Sequence, residues 1–271
     1  MIEPVPSVVK SPEQTRQPVE WHGGAWRLLT EFWVMFRLQL ARVRLAWRPY
    51  MMVSTVMPLG IVLLVYLIGR GTDLASAGAQ VVAGNVVLSL TITCVSMLAQ
   101  RVAWMKRARA FDYYATLPVN LVLLLLAIPL SFLVFALPGM VIVLTAGALL
   151  FHVAVRPNPE FLLFITFAAA ALSGVGAYLG LLARDDQLAA VYGNLVMMLI
   201  LFLGSILPTH FPYAVQVLRW LVPSTYAVEA LRESFRGPIP VAHLVLYPAA
   251  LTLFAAVLLT AAARRIEWRS E

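Results

Sequence analysis

Six stretches of the chain, at about 49–69, 79–100, 119–151, 161–183, 187–207 and 241–263, contain no Asp, Glu, Lys or Arg. No other feature constrains the fold as much. An uncharged run of about 20 residues is what a helix needs to cross a hydrocarbon core about 30 Å thick. A helix also satisfies its own backbone N–H and C=O groups where no water can reach them. The runs therefore predict an all-α integral membrane fold, a six-transmembrane-helix bundle over residues 49–265. Composition agrees, with 61% hydrophobic residues, 12% charged residues and a mean hydropathy of +0.85. Soluble domains hold roughly half apolar and a quarter charged residues.

The charges between the runs set an orientation. With the N-terminus inside and six spans, fifteen of the 20 Lys and Arg residues fall on the cytoplasmic side, as the positive-inside effect requires. The net charge of +7 is thus read as topology and not as a nucleic-acid surface. Both termini are cytoplasmic in this arrangement. Residues 1–23 are expected to be a disordered tail, because Met1 to Glu20 holds four prolines, three glutamates and no apolar stretch long enough for a signal-peptide core. Residues 266–271 form a second short tail. The third run is ambiguous, since its 33 residues rise about 50 Å as one helix and contain Pro129 and Pro138-Gly139. Read as two short spans it gives seven crossings, which again leave fifteen basic residues inside, so charge counting separates neither topology.

Ahead of the first span, residues 24–48 carry Trp26, Leu29, Trp33, Phe36, Leu40, Val43 and Trp47 at alternating spacings of three and four. That period places all seven on one helical stripe. Arg37, Arg42 and Arg44 keep the segment from spanning, so it is predicted to lie in the interface as an amphipathic helix. Leu38 and Leu45, on the other face, suit a helix that also transmits force from a partner. Within the second span, Asn85, Ser89, Thr93, Ser96 and Gln100 fall within about 80° of one face. They either line a pathway or hydrogen-bond neighbouring helices. Gly176 and Gly180 form a G-x-x-x-G suited to close helix packing, and the lone Cys94 has no partner for a disulfide.

Several chemistries find no parts. The spans hold no Asp, Glu, Lys or Arg to carry a coupling ion. Neither H-E-x-x-H nor G-x-S-x-G is present. Neither of the two lysines, Lys10 and Lys106, follows a glycine, so there is no phosphate-binding loop. His152, His210 and His243 fall near the outer side as isolated interfacial residues, and no metal site is predicted. Any active transport must draw its energy from another subunit.

Two segments are more specific. Val215 to Val222 is amphipathic and leads into Pro223-Ser224-Thr225-Tyr226-Ala227-Val228-Glu229-Ala230-Leu231-Arg232, which Gly237-Pro238 ends. This predicts a short capped helix, part of an outer-face helical hairpin before the last span. Glu229, Arg232, Glu233 and Arg236 share one face of it, and Val228, Leu231 and Phe235 share the other. The helix is expected to sit at or dip into the outer membrane interface, where Glu229 and Arg232, three apart, are placed to pair, either as a gate or as a solvated pair. The second segment, Arg107 to Val119, lies in a basic loop and reads Arg-Ala-Arg-Ala-Phe-Asp-Tyr-Tyr-Ala-Thr-Leu-Pro-Val.

Together these features resemble the permease subunits of the type-2 ATP-binding-cassette exporters, the ABC-2 membrane family, over residues 24–265. The first segment is similar to the family's Pro-x-x-Tyr-x-x-Glu-x-x-Arg-like stretch before the last span. The second is similar to its coupling loop, although Lys106, Arg107 and Arg109 stand where acidic residues are usual. The resemblance implies a transport subunit and not an enzyme: a permease that exports an amphiphilic drug, lipid or lipid-linked glycan. It binds no cofactor itself, while ATP and Mg are held by a separate cytoplasmic ATPase present in two copies. A second permease copy, identical or different, completes the assembly among membrane lipids of the bacterial cytoplasmic membrane, with no nucleic acid involved.

The resemblance also implies roles for residues. Trp104, Arg107, Arg109, Phe111 and Asp112 belong to the ATPase-coupling loop, and Trp26, Trp33, Phe36 and Leu40 to the force-transmitting N-terminal helix. From the helical spacing and not from the resemblance, Asn85, Ser89, Thr93 and Ser96 are the candidate pathway lining, and Tyr226, Glu229 and Arg232 the candidate outer-helix gate. Rival readings from other classes are a membrane-embedded lipid-modifying enzyme and a non-transporting scaffold or channel.

Overall fold

The computed structural model describes residues 25–44, 47–69, 78–111, 121–153, 155, 159–202, 219–237 and 239–264. The expected tails and the outer residues Arg70, Asp73, Arg156 and His210 lie outside them. Among the described residues the long elements are all helices: α1 (Ala25–Arg44), α2 (Trp47–Ile68), α3 (Gly78–Arg107), α4 (Leu121–Phe151), α5 (Pro159–Leu182), α6 (Asp186–Ile200), α7 (Pro223–Arg236) and α8 (Val241–Arg264). Five of these, α2, α3, α4, α5 and α8, include a stretch long and apolar enough to cross a membrane. The fifth expected run, 187–207, appears as the 15-residue α6, and residues 203–218 beyond it are outside the described set. The third run is one continuous 31-residue helix through Pro129 and Pro138, not two short spans.

The helices pack around α3. In its apolar stretch 94% of residues are buried, against 17% in both α2 and α8. Neighbours α2, α4, α5, α6 and α7 enclose it, and α8 packs mainly on α5. Enclosure this close needs small residues. A Cβ on Gly176 of α5 would lie 2.3 Å from the Cys94 carbonyl oxygen, and one on Gly180 would lie 2.5 Å from that of Ala99, so the backbones of α5 and α3 touch. Gly193 of α6 meets the Ser96 Cα in the same way. Close packing is therefore what these glycines do. At the centre of α3, Ile92–Met97 is a π-helix in which every residue is buried. Such a turn inserts one extra residue into the helix and rotates the following part of α3 relative to the first.

The end of α3 corrects the sequence reading. Arg101, Trp104, Lys106 and Arg107 were expected in a loop, but α3 continues to Arg107 and only then turns, with Arg109 in a left-handed conformation (φ 50°). The apolar run stops at Gln100. The helix does not, because Arg, Lys, Met and Trp are themselves compatible with a helix.

Candidate functional site

A cleft of about 540 Å³ opens between α2, the π segment of α3 and α6. Its walls are mostly aliphatic and thioether, with Val53, Met57, Ile92, Met97, Met197 and Met198, and Pro49 closes one end. Its polar groups are Ser96, Gln100 and Asn194. Ser96 Oγ donates to Asn194 Oδ1 at 3.0 Å, and Gln100 Nε2 donates to the Ser96 carbonyl at 3.2 Å. No charged side chain lines it. Flexible, polarisable methionines adapt to varied apolar shapes, and the amide groups fix hydrogen bonds at one place. Such a site suits a neutral, largely apolar molecule.

The π turn explains why only part of the expected polar face reaches this cleft. Ser89, ahead of the turn, points to α2 and donates from Oγ to the Ser54 carbonyl at 2.8 Å. Asn85 and Thr93 bond back to Val81 and Ser89 within α3. All three are buried inside the bundle, and of the four expected pathway residues it is Ser96 that lines the cleft. The interhelical reading thus describes Ser89 and also Ser96, which bonds Asn194 of α6, and back-bonding describes Asn85 and Thr93. Asn194, not among the predicted site residues, carries its polar group in an otherwise apolar α6 segment, which was the available signal.

At the basic end of α3 the expected coupling residues separate. Trp104 is exposed and stacks on the Arg101 guanidinium at 4.5 Å. Arg107 Nη1 pairs with Asp186 Oδ1 at 2.7 Å. Lys106 Nζ donates to the Leu181 carbonyl at 2.9 Å, at the end of α5, where helix carbonyls lack partners. Asp185 caps α6 by accepting from the Leu188 N–H at 2.7 Å. The end of α3 is thereby tied to the α5–α6 turn. Arg109 is exposed, whereas Phe111 is only 6% exposed and belongs to the apolar core, so its ring is not a surface anchor. Asp112 lies outside the described residues.

The opposite part of the bundle holds α7, the described arm of the expected hairpin. Phe235 near its C-terminus meets Phe161 in the first turn of α5. Tyr226 near its N-terminus meets Phe254, the fourteenth residue of α8. Since the 24 residues of α8 rise about 36 Å, α7 starts about halfway down the bundle and runs back to its end. Ala227, Val228, Glu229, Ala230 and Leu231 are all buried, so the charged face of the helix is not a solvated surface. The charges are neutralised inside. Glu229 accepts from Arg219 at 2.8 Å and from Arg232 at 2.5 Å, through separate carboxylate oxygens. Glu233 accepts from His243 Nδ1 and from Tyr247 Oη, both at 2.9 Å, which fastens α7 to the start of α8. Gly237, at φ 140°, makes the turn between them with a backbone conformation side chains resist. Ten residues separate Arg219 from Glu229, too many for any helical spacing to have announced the pair.

In α1 the buried face is rotated from the expected stripe. Met35, Phe36 and Gln39 are buried, and Phe32 and Leu40 are half-buried, against α4. Leu29 and Trp33 point outward, Trp33 at 56% exposure. The side chain of Trp26 lies outside the described residues. Among the described residues, no three His, Cys, Asp or Glu side chains gather to hold a metal.

The family model of ABC-2 type transporters matches residues 30–235. The chain belongs to that family. No curated protein matches it. The matched region runs from α1 through the last turn of α7, so it contains the cleft, the basic end of α3 and the buried Glu229 network. As an ABC-2 membrane domain the chain is the permease component of an ABC transporter, a multi-pass membrane protein whose role is transport.

Proposed function

We propose that this ABC-2 permease is half of the translocation pathway of an ATP-driven exporter in the bacterial cytoplasmic membrane, with six spans and both termini cytoplasmic. Two copies of a separate ATPase, which hold ATP and Mg, energise it, and a second permease copy faces it. The observation that carries this reading is α3 itself. One continuous helix bears the cleft's Ser96 and Gln100 and, less than two turns on, the exposed Trp104 with Arg107 tied to the α5–α6 turn. A load applied by an ATPase at Trp104 reaches the cleft along one helix, and Arg109 adds a contact in the turn that follows it. α1, packed on α4, supplies a second contact for that load.

The uncharged cleft takes the apolar body of an amphiphile, a drug, a lipid or the lipid part of a linked glycan. α7, with Tyr226, Glu229 and Arg232, closes the pathway on the outer side. The test uses the permease co-purified with its ATPase in proteoliposomes. Asn194→Ala is expected to change the concentration at which an apolar dye stimulates ATP hydrolysis, while the basal rate holds. An unchanged stimulation curve removes the cleft from the pathway, and loss of the ATPase from Trp104→Ala/Arg109→Ala tests the docking role separately.

A further inference from the structure

A second cavity lies away from the cleft, in a groove of about 250 Å³ enclosed by α1, α4, α5 and α8. Its walls include Phe32, Pro129, Leu133, Thr166, Ala170 and Leu259. We propose that it holds one acyl chain of a resident membrane phospholipid, which fastens α1 to the spanning helices. The origin of the gap is local: Pro129 lacks an N–H and crowds the preceding turn, and Ala169 and Ala170 leave the facing side of α5 without bulk. Its lining holds two hydroxyls, those of Thr166 and Ser173, and among the described residues no charged group. The Thr166 hydroxyl is turned back onto the Leu162 carbonyl at 2.8 Å, and Ser173 is fully buried.

Size and position select the occupant. The groove is smaller than the roughly 300–1,000 Å³ of sites that enclose a drug-sized molecule, so it takes part of one acyl chain and not a whole amphiphile. Its walls on α5 begin at the eighth of 24 residues, inside the spanning part of that helix. The exposed apolar residues Val134, Leu163 and Ala256 stand beside or one turn from the lining residues Leu133, Thr166 and Leu259 on the same helices, so lipid-facing surface adjoins the groove. Phe32 of α1 closes one end and stacks on Phe36, which is buried against the bundle. A chain in the groove therefore touches α1 and three spanning helices at once.

The experiment uses the full chain in vesicles of phosphatidylethanolamine and phosphatidylglycerol, doped with a phosphatidylethanolamine carrying a diazirine acyl chain. Photolysis and peptide mapping are expected to label Leu133 and Ala170 more strongly than Val56 and Leu63 on the exposed face of α2. Native mass spectrometry of the detergent-purified protein is expected to retain a phospholipid. Ala170→Phe should fill the groove and Thr166→Trp should cover its exposed mouth without touching the core. Both should lose the retained lipid and the groove label while keeping the label on α2. Labelling of the groove no stronger than that of α2, with retained lipid unchanged in a folded Thr166→Trp variant, means lipid of the surrounding bilayer only and overturns the proposal. Groove label that disappears when ATP turnover begins in the complex with the ATPase assigns the groove to a transported molecule and overturns it too.

Discussion

Glu229 is held between two guanidiniums with only 8% of its side chain exposed. Glu229→Ala leaves both arginines without their carboxylate, and breaking a buried pair by removing one partner costs about 3–5 kcal/mol. Thermal unfolding of the detergent-solubilised permease should show a large loss for this variant and a smaller one for Glu229→Gln, which keeps an acceptor. Equal, minor losses would mean that the pair is solvated, as the i, i+3 spacing alone suggested. That spacing made the Glu229–Arg232 pair legible in the sequence. Its burial was not, because burial depends on Arg219 and on packing against α3, α5 and α8. A second residue-scale prediction concerns Gly176. A methyl group there meets the Cys94 carbonyl at 2.3 Å, so Gly176→Ala forces α5 and α3 apart, a cost of about 1–3 kcal/mol of overpacking. Cys94, the chain's single cysteine and fully buried, reports it directly: maleimide labelling should be slow in the unsubstituted protein and faster in the variant.

Among the elements, α1 shows best what periodicity can tell. The alternation of three and four identified a helix with an apolar face, but the face that packs is centred on Phe32, Met35, Phe36 and Gln39. Apolar residues extend well round this helix, and the partner surface on α4 chose among them. Phe36→Ala should therefore cost about 3–5 kcal/mol, as for a buried aromatic, whereas Trp33→Ala should leave the melting temperature nearly unchanged. The reverse ranking would restore the tryptophan stripe as the packing face. α3 was harder to read, since a π turn has no signature in composition. Its effect is to divide one polar row into a Ser89 half facing α2 and a Ser96–Gln100 half facing α6. The burial of α7 was hard to read for a related reason: four charged residues argue for water unless their partners come from elsewhere in the chain.

For the molecule as a whole, charge-free runs settled the class of fold, because lipid leaves a backbone few alternatives. They located the helices well and their ends poorly, as the extension of α3 through Arg107 illustrates. Runs of apolar residues mark what lipid or the core covers, whereas a helix stops where its hydrogen bonding stops. The six-span reading predicts that a reporter active only inside the cell works when fused after Arg264 and fails when fused in the 152–158 segment. Activity at both sites, or at neither, would require another topology.

The burial of α3 has one more consequence. A helix that shows almost no surface to lipid has no hydrophobic thickness of its own to match, so its height is set by glycine contacts and by the tie between Arg107 and Asp186. Bilayers of different thickness can tilt or stretch the outer helices α2 and α8, which are lipid-facing or partner-facing over most of their length. They act on α3 only through those neighbours, and the most buried helix of the permease is insulated from the membrane around it.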